Sequence, residues 1–428
     1  MSHKVCFAII SVFLLSCSES DTSIQGEEPE KNEEAFISRS EGQFDATFTE
    51  QTVYFDASER DELLSIDEGG QVYVFKKTSQ KANTLKADSI LLIHGMALRK
   101  VIGVNKAGED IVIETADATL DELIKDGTIE WTTYFDFKAQ NPIQLQVGDK
   151  IYAANPSEGN ASLPNNTIEF EATIGAYKYT LTVKSEEDSA YIKLEATKNI
   201  SSGIKRTFMA EGTISGFSSS NKLEYSDSKL VHFSNENKNL KGDLTLRAAI
   251  ADPGADDIDE ELPFVILQAP FMVGPIPTLV KIKLQFVVRA YIPLLGSAHS
   301  AIRFKYNSET GFKYDGVNVA VGGFAGDYSI EDNESTIAAT SPIALGYGIG
   351  FPRLEIGIFD NMVAPWIQTA LWINNDYTPY PPCNRTRASF YGAFGYDFNF
   401  LGVKQSYQLS KNIWDEEKVL LKVGNCPE

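Results

Sequence analysis

Thr-Ile-Glu-Phe-Glu-Ala-Thr-Ile (167–174), followed after two residues by Tyr-Lys-Tyr-Thr-Leu-Thr-Val (177–183), decides the fold. Apolar and polar side chains alternate in both runs. Side chains in an extended chain point to opposite faces in turn, so this period of two places one face on a core and the other toward water. The same alternation recurs in Tyr-Ile-Lys-Leu-Glu (191–195) and Lys-Ile-Lys-Leu-Gln-Phe (281–286). Val-Gly-Pro-Ile-Pro (273–277) reads as a stiff apolar turn feeding a strand over 278–291, because proline sits at strand starts and edges. The 25 Phe, 18 Tyr and 4 Trp suit half-buried pleated surfaces. The chain therefore reads as all-β: a small β module, then a large antiparallel β-sandwich-type domain, with few short helices. The strongest helical signal is 118–127, where Thr119 and Glu122 have capping-box spacing, Leu120, Leu123 and Ile124 share a face, and Gly127 stands at the end. A second short turn is predicted over 58–64.

Of 428 residues, 43% are hydrophobic and 23% charged, which is ample for a core. Lys and Arg total 38 against 59 Asp and Glu, a net charge of −21. Nucleic-acid phosphates need a basic surface, so no nucleic-acid partner is expected. The charge is concentrated: 18–35 carries net −6, and 252–261 carries six acids and no base. The remainder is only mildly acidic.

The amino end carries an address. A short polar start with His3 and Lys4 precedes an apolar run over 5–15, too short to span a bilayer but fitting the apolar part of a secretory signal. Leu14-Leu15-Ser16-Cys17 follows, which resembles the lipobox of bacterial lipoproteins. The resemblance implies a signal peptide over 1–16, cleavage before Cys17, lipidation (palmitate) of that thiol, and membrane partnership through the lipid. Residues 17–45 then read as an acidic disordered tether, because a stretch so charged and so poor in aromatics buries too little to order itself. Within it, Ser18-Glu19-Ser20-Asp21 resembles the export signal of Bacteroidetes surface lipoproteins. That implies an outer-membrane protein facing the exterior.

The first module is read at 46–140. Its strands are 52–55, 62–67 paired with 71–76 through Glu68-Gly69-Gly70, then 89–93, 99–104, 111–115 and 129–135 around one short helix. Leu98-Arg99-Lys100-Val101, the run Glu114 to Leu120, and Gly127-Thr128-Ile129 resemble a module of large secreted bacterial proteins that carries no assigned activity; the likeness covers 51–135. The large domain is read at 141–428, with no internal repeat at a solenoid or propeller period.

Cys383 and Cys426 are the cysteines left once leader and anchor are set aside, and an even pair in an exported chain reads as a disulfide. His94 ends the apolar run 90–93, where it could serve as a base or oxyanion-loop element but reads first as a packed or surface histidine. Asp252, Asp256, Asp257 and Asp259 could offer hard oxygens to calcium, although EF-hand spacing is missing and a solvated loop is the plainer reading. No other cofactor is expected. Trp366, Trp372, Tyr377 and Tyr380 stand close to Asn374, Asn375 and Asp376. Flat apolar rings with polar edges beside amides suit sugar stacking, while the even spacing of the two tryptophans equally suits a core. No nucleophile elbow, HExxH, Walker loop or GxGxxG appears.

These signs favour a lipid-anchored surface protein that binds, adheres or scaffolds without catalysis, with a glycan or protein as ligand. Two alternatives stand beside it: a hydrolase or lyase acting on polysaccharide, and a carrier of an apolar ligand, the latter motivated by the apolar stretch 264–295.

Overall fold

The alternation read from the sequence is realised as three sheets. The computed structural model describes residues 38–427 apart from 107, 136–142, 148–149, 155–166, 175, 186–188, 202–203, 216–217, 253–255, 262–263, 293–295, 333–335, 339–341, 360 and 405. In chain order the first strands are β1 (Ser38–Phe48), β2 (Thr52–Phe55), β3 (Leu63–Ile66), β4 (Val72–Lys76), β5 (Ile90–Ile93), β6 (Ala97–Asn105), β7 (Asp110–Asp117) and β8 (Ile124–Phe135). Next come β9 (Ile143–Val147), β10 (Lys150–Ala154), β11 (Thr167–Ile174), β12 (Tyr177–Ser185), β13 (Ser189–Ser201), β14 (Ile204–Ser215), β15 (Ser218–Ser226), β16 (Lys229–Asp252) and β17 (Asp256–Glu261). The last are β18 (Phe264–Val273), β19 (Ile276–Ile292), β20 (Gly296–Tyr314), β21 (Val319–Asp332), β22 (Thr336–Ala338), β23 (Ile343–Ile358), β24 (Asn361–Pro379), β25 (Pro382–Asp397) and β26 (Ser406–Gly424). Short helical turns lie at Ala57–Glu62, α1 (Gln80–Thr84), α2 (Leu120–Leu123) and Asn399–Leu401. The protein is thus all-β and mostly antiparallel.

The small sheet runs β2-β5-β6-β7-β4-β3, with β2 parallel to β5 and its other pairings antiparallel. Phe55 stacks on Phe75 with ring centroids 4.8 Å apart, within a core that includes Tyr73, Ile93 and Ile113. The run Ile90–Ile93 is buried on both faces. Leu91 and Ile93 enter the small core, while Ile90 and Leu92 enter a second core shared with α2, β8, β15 and β16. That explains why this strand is continuously apolar rather than alternating. The Arg99 guanidinium donates to Thr115 Oγ1 at 3.1 Å and to Asp117 at 2.5 Å across β6 and β7.

The helix read over 118–127 shortens to the single turn α2. The Thr119 N–H donates to Glu122 Oε2 at 3.1 Å as capping-box spacing predicts, but Ile124 already opens β8. Pairing with β1 overrides helix propensity here. Gly127 is no helix stop; it lies in β8 at φ +137°, where a Cβ would stand 2.4 Å from Ala46 Cα. Both β1 and β8 belong to the larger sheet, because β8 also pairs with β15. The small sheet is therefore an excursion between two neighbouring strands of the sandwich.

The two large sheets, of eleven and nine described strands, face each other. Phe304 of the first and Phe390 of the second meet at 5.1 Å, and the Ser300 and Tyr347 hydroxyls hydrogen-bond between the sheets at 2.6 Å. The second sheet is largely a meander, β19-β23-β24-β25-β26. The first sheet forks along β16. One edge of β16 pairs with β20, while its other edge pairs first with β15 (through 229–238) and then with β14 (through 242–250). Between these halves two residues, Lys238 and Asn239, oppose one on β20, and Asn239 takes φ +62°. This bulge switches the inward parity. Phe233, Asn235 and Asn237 face inward before it, and Leu240, Leu244, Leu246, Ala248 and Ile250 after it.

Candidate functional site

Residues on β24 alternate between two environments. Leu371, Ile373 and Asn375 are buried and face the first sheet; Trp372, Asn374 and Asp376 are half-buried and face outward. The two tryptophans' even spacing left a core position open for Trp372; the pairing settles it on the outer face. There it lies against Gly348 of β23, its partner in register, where a Cβ would stand 2.6 Å from the indole. Gly346 and Gly350 pair with Asn374 and Ala370 on either side. A strip of glycines thus cradles a ring that side chains would otherwise lift.

The indole N–H donates to Asn374 Oδ1 at 2.8 Å, which fixes the ring's polar edge. Asp376 Oδ2 accepts from Arg387 Nη2 at 2.9 Å and lies 3.6 Å from Arg385 Nη2. One outer patch therefore brings an aromatic face, an amide, a carboxylate and two guanidinium groups onto rigid strands. The sequence set divides around it. Trp372 and Asn374 belong to the patch. Asn375 is buried on the opposite face and accepts from the Thr386 hydroxyl at 2.7 Å, and Tyr377 packs on the sandwich core. Tyr380 stands at the β24–β25 turn, 93% exposed. The Trp366 side chain lies outside the described residues.

Cys383 and Cys426 form a disulfide, with Cα atoms 4.8 Å apart. It closes the β25–β26 hairpin, where Cys383 pairs in register with Gly424, and so clasps the edge strand. Closing a loop of this length contributes up to about 4 kcal/mol in the chain-entropy account.

His94 is drawn into a small polar joint. Its Nδ1 hydrogen-bonds the Tyr54 hydroxyl at 2.7 Å, and Arg60 donates to its carbonyl oxygen. Burial first, and then the Arg60 charge, hold the imidazole below its usual range. Burial, with Asp56 and Glu59 adding to it, holds the Tyr54 phenol above its own. The neighbouring Gly95 N–H donates to Pro275 O at 2.8 Å, so His94 stands where the small module meets the sandwich.

The acidic segment is not wholly a loop. Asp252 ends β16, and Asp256, Asp257 and Asp259 lie in β17, paired with β19. Their side chains lie outside the described residues, as does Cys17. Among the described residues no three His, Cys, Asp or Glu side chains gather as a metal site would need.

Two features escaped the sequence reading. Inside the sandwich, beside the bulge, Asn221, Asn235 and Asn237 form a buried ladder with Ser219 and Thr310. Asn235 Nδ2 donates to Asn221 Oδ1 at 2.7 Å, and Asn237 Nδ2 donates to Asn235 Oδ1 at 2.8 Å and Thr310 Oγ1 at 3.1 Å. On the outer face of the same strands lies a concavity of about 450 Å³. The signal for both was present in 218–222 (SSSNK) and 235–238 (NENK), which are polar at both parities within strand-like surroundings. Comparison with protein-family models, curated proteins and solved structures returns no match to this chain.

Proposed function

We propose that this chain is a lipid-anchored cell-surface binding protein, held at the outer membrane through Cys17 and exposing a glycan-binding patch on the outer face of its second sheet. The observation that carries the binding reading is Trp372, cradled on Gly348 with its N–H held by Asn374 beside Asp376, Arg385 and Arg387. A ring presented flat with its polar edge fixed offers the stacking surface that a sugar's apolar face requires, and the flanking groups offer donors and acceptors for its hydroxyls. The lipobox-like Leu14-Leu15-Ser16-Cys17 and the acidic stretch after it supply the address.

The test uses whole cells carrying the full chain and fluorescein-labelled soluble mannan, xylan and β-glucan. Cells with the wild-type chain should label with one of these, and Trp372→Ala should weaken that labelling about tenfold at equal surface abundance. Cys17→Ser should shift the chain from the membrane to the soluble fraction. Absence of wild-type labelling, or equal labelling by the variant, removes the patch; unchanged fractionation removes the anchor.

A further inference from the structure

The concavity on the first sheet is built from two straight rows of outward side chains that cross the strands. One row follows register from Glu41 (β1) through Thr132 (β8) and Ser220 (β15) to Glu236 (β16), and past the edge of the concavity the same line continues to Gly311 (β20) and Gly322 (β21). Gln43, Glu130, Lys222 and Ser234 form the row beside it. The concavity itself spans four strands; at the spacing of neighbouring strands the full line of six gives a trough about 24 Å long. Its centre is polar: the Thr132 and Ser220 hydroxyls meet there at 3.0 Å.

Its far end lacks side chains for no internal reason. Gly311 and Gly322 both have ordinary backbone conformations. A Cβ on Gly311 would meet nothing closer than 3.8 Å, and one on Gly322 nothing within 4 Å. Neither packing nor φ demands glycine there, yet the pair keeps the floor open. Exposed Tyr134, two residues along β8 from Thr132 on the same face, supplies an apolar ring at the rim.

Charge decides the ligand class. Lys222 lies 2.8 Å from both Glu130 and Glu224, whose hydrogen bonds hold the ammonium well above the usual lysine range, and Lys238 lies 3.3 Å from Glu236. Two of the three lining carboxylates thus already have an ammonium, which leaves hydroxyls, an amide and paired charges along the trough, with Glu41 a single carboxylate at one end rather than part of a cation trap. We infer that this trough binds a linear, uncharged polyhydroxylated chain, an oligosaccharide laid across the strands of the first sheet, at a site separate from Trp372. The ladder of Asn221, Asn235 and Asn237 lies directly beneath it and fixes the register of β15 and β16, so the rows are held in line before the ligand arrives.

Isothermal titration of the Trp372→Ala chain with cellohexaose, xylohexaose, maltohexaose and laminarihexaose isolates the trough from the other patch. One of these should bind, Gly311→Tyr added to that background should abolish binding by filling the floor, and Thr132→Val with Ser220→Ala should weaken it about tenfold. Circular-dichroism melting checks the fold of each variant, and the more exposed Gly322→Tyr carries the steric arm should Gly311→Tyr misfold. Binding by wild type but not by Trp372→Ala overturns the trough while leaving the first patch standing. No binding by either, binding indifferent to the trough variants, or competition by spermine in place of sugar overturns it as well.

Discussion

The two halves of β16 run through one sandwich and use opposite means to fill it. Beyond the bulge the strand presents Leu240, Leu244, Leu246, Ala248 and Ile250 to a core that Phe304, Phe390 and Tyr347 complete. Before the bulge it presents Phe233, Asn235 and Asn237, and the asparagines carry buried hydrogen bonds along and across β15, β16 and β20. Apolar packing is non-directional, so the first half gains stability without naming one register. Buried amides must meet particular partners, so the second half fixes a register at some cost in stability. The cost is visible: Trp131 Nε1, Thr133 Oγ1 and Asn237 Oδ1 are buried there without a hydrogen-bond partner among the described residues. The outer faces differ in the same sense, since the polar trough lies over the half whose register is pinned.

Breaking the apolar half should have the larger effect. Phe390 is fully buried between Phe304 and Tyr328, and Phe390→Ala should lose about 3–5 kcal/mol in urea denaturation, through transfer and the cavity left behind. Asn235→Ala should cost less, about 1–3 kcal/mol, by stranding the Asn221 carbonyl and the Asn237 amide. Its distinguishing mark is specificity: amide hydrogen exchange in β8 and β15 should speed up more than in β12 and β13. Uniform exchange across the sheet would mean that the ladder does not pin register. The smallest effect belongs to the joint at His94. Its imidazole is held below the ordinary 6.5, so the unfolded chain takes up the proton first. Stability should therefore decline as pH falls below about 6.5 and level off once the folded imidazole is also protonated. His94→Gln should flatten that part of the profile, and an unchanged slope would assign it to other groups.

Much of the architecture could be read in advance because alternation is a local signal. The alternating runs Thr167–Ile174 and Thr52–Phe55 coincide with β11 and β2 to the residue, and the turn at 273–277 feeds β19, which opens at Ile276, two residues before the expected 278. The disulfide followed from cysteine arithmetic. The reading failed where partners lie far along the chain. The α2 turn stops early because β1 claims Ile124 onward, and 129–135 closes the first module in sequence but joins the larger sheet in space. The aromatic cluster was found as a set, but which of its members face outward depends on strand parity, and Gly348 beneath Trp372 lies over twenty residues away. The trough is not legible in the sequence because its two rows draw on six strands spread between Glu41 and Gly322, and no strand gives more than two of the row residues.

The double-sided burial of Ile90–Ile93 bears on how portable the small module is. A bead on a string can be moved from protein to protein because its surface is finished on all sides. This one is not finished: cut from the chain at residues 52 and 117, it would turn Ile90, Leu92 and Leu98 out to water. Here it is welded to its host, and heating should unfold the two together.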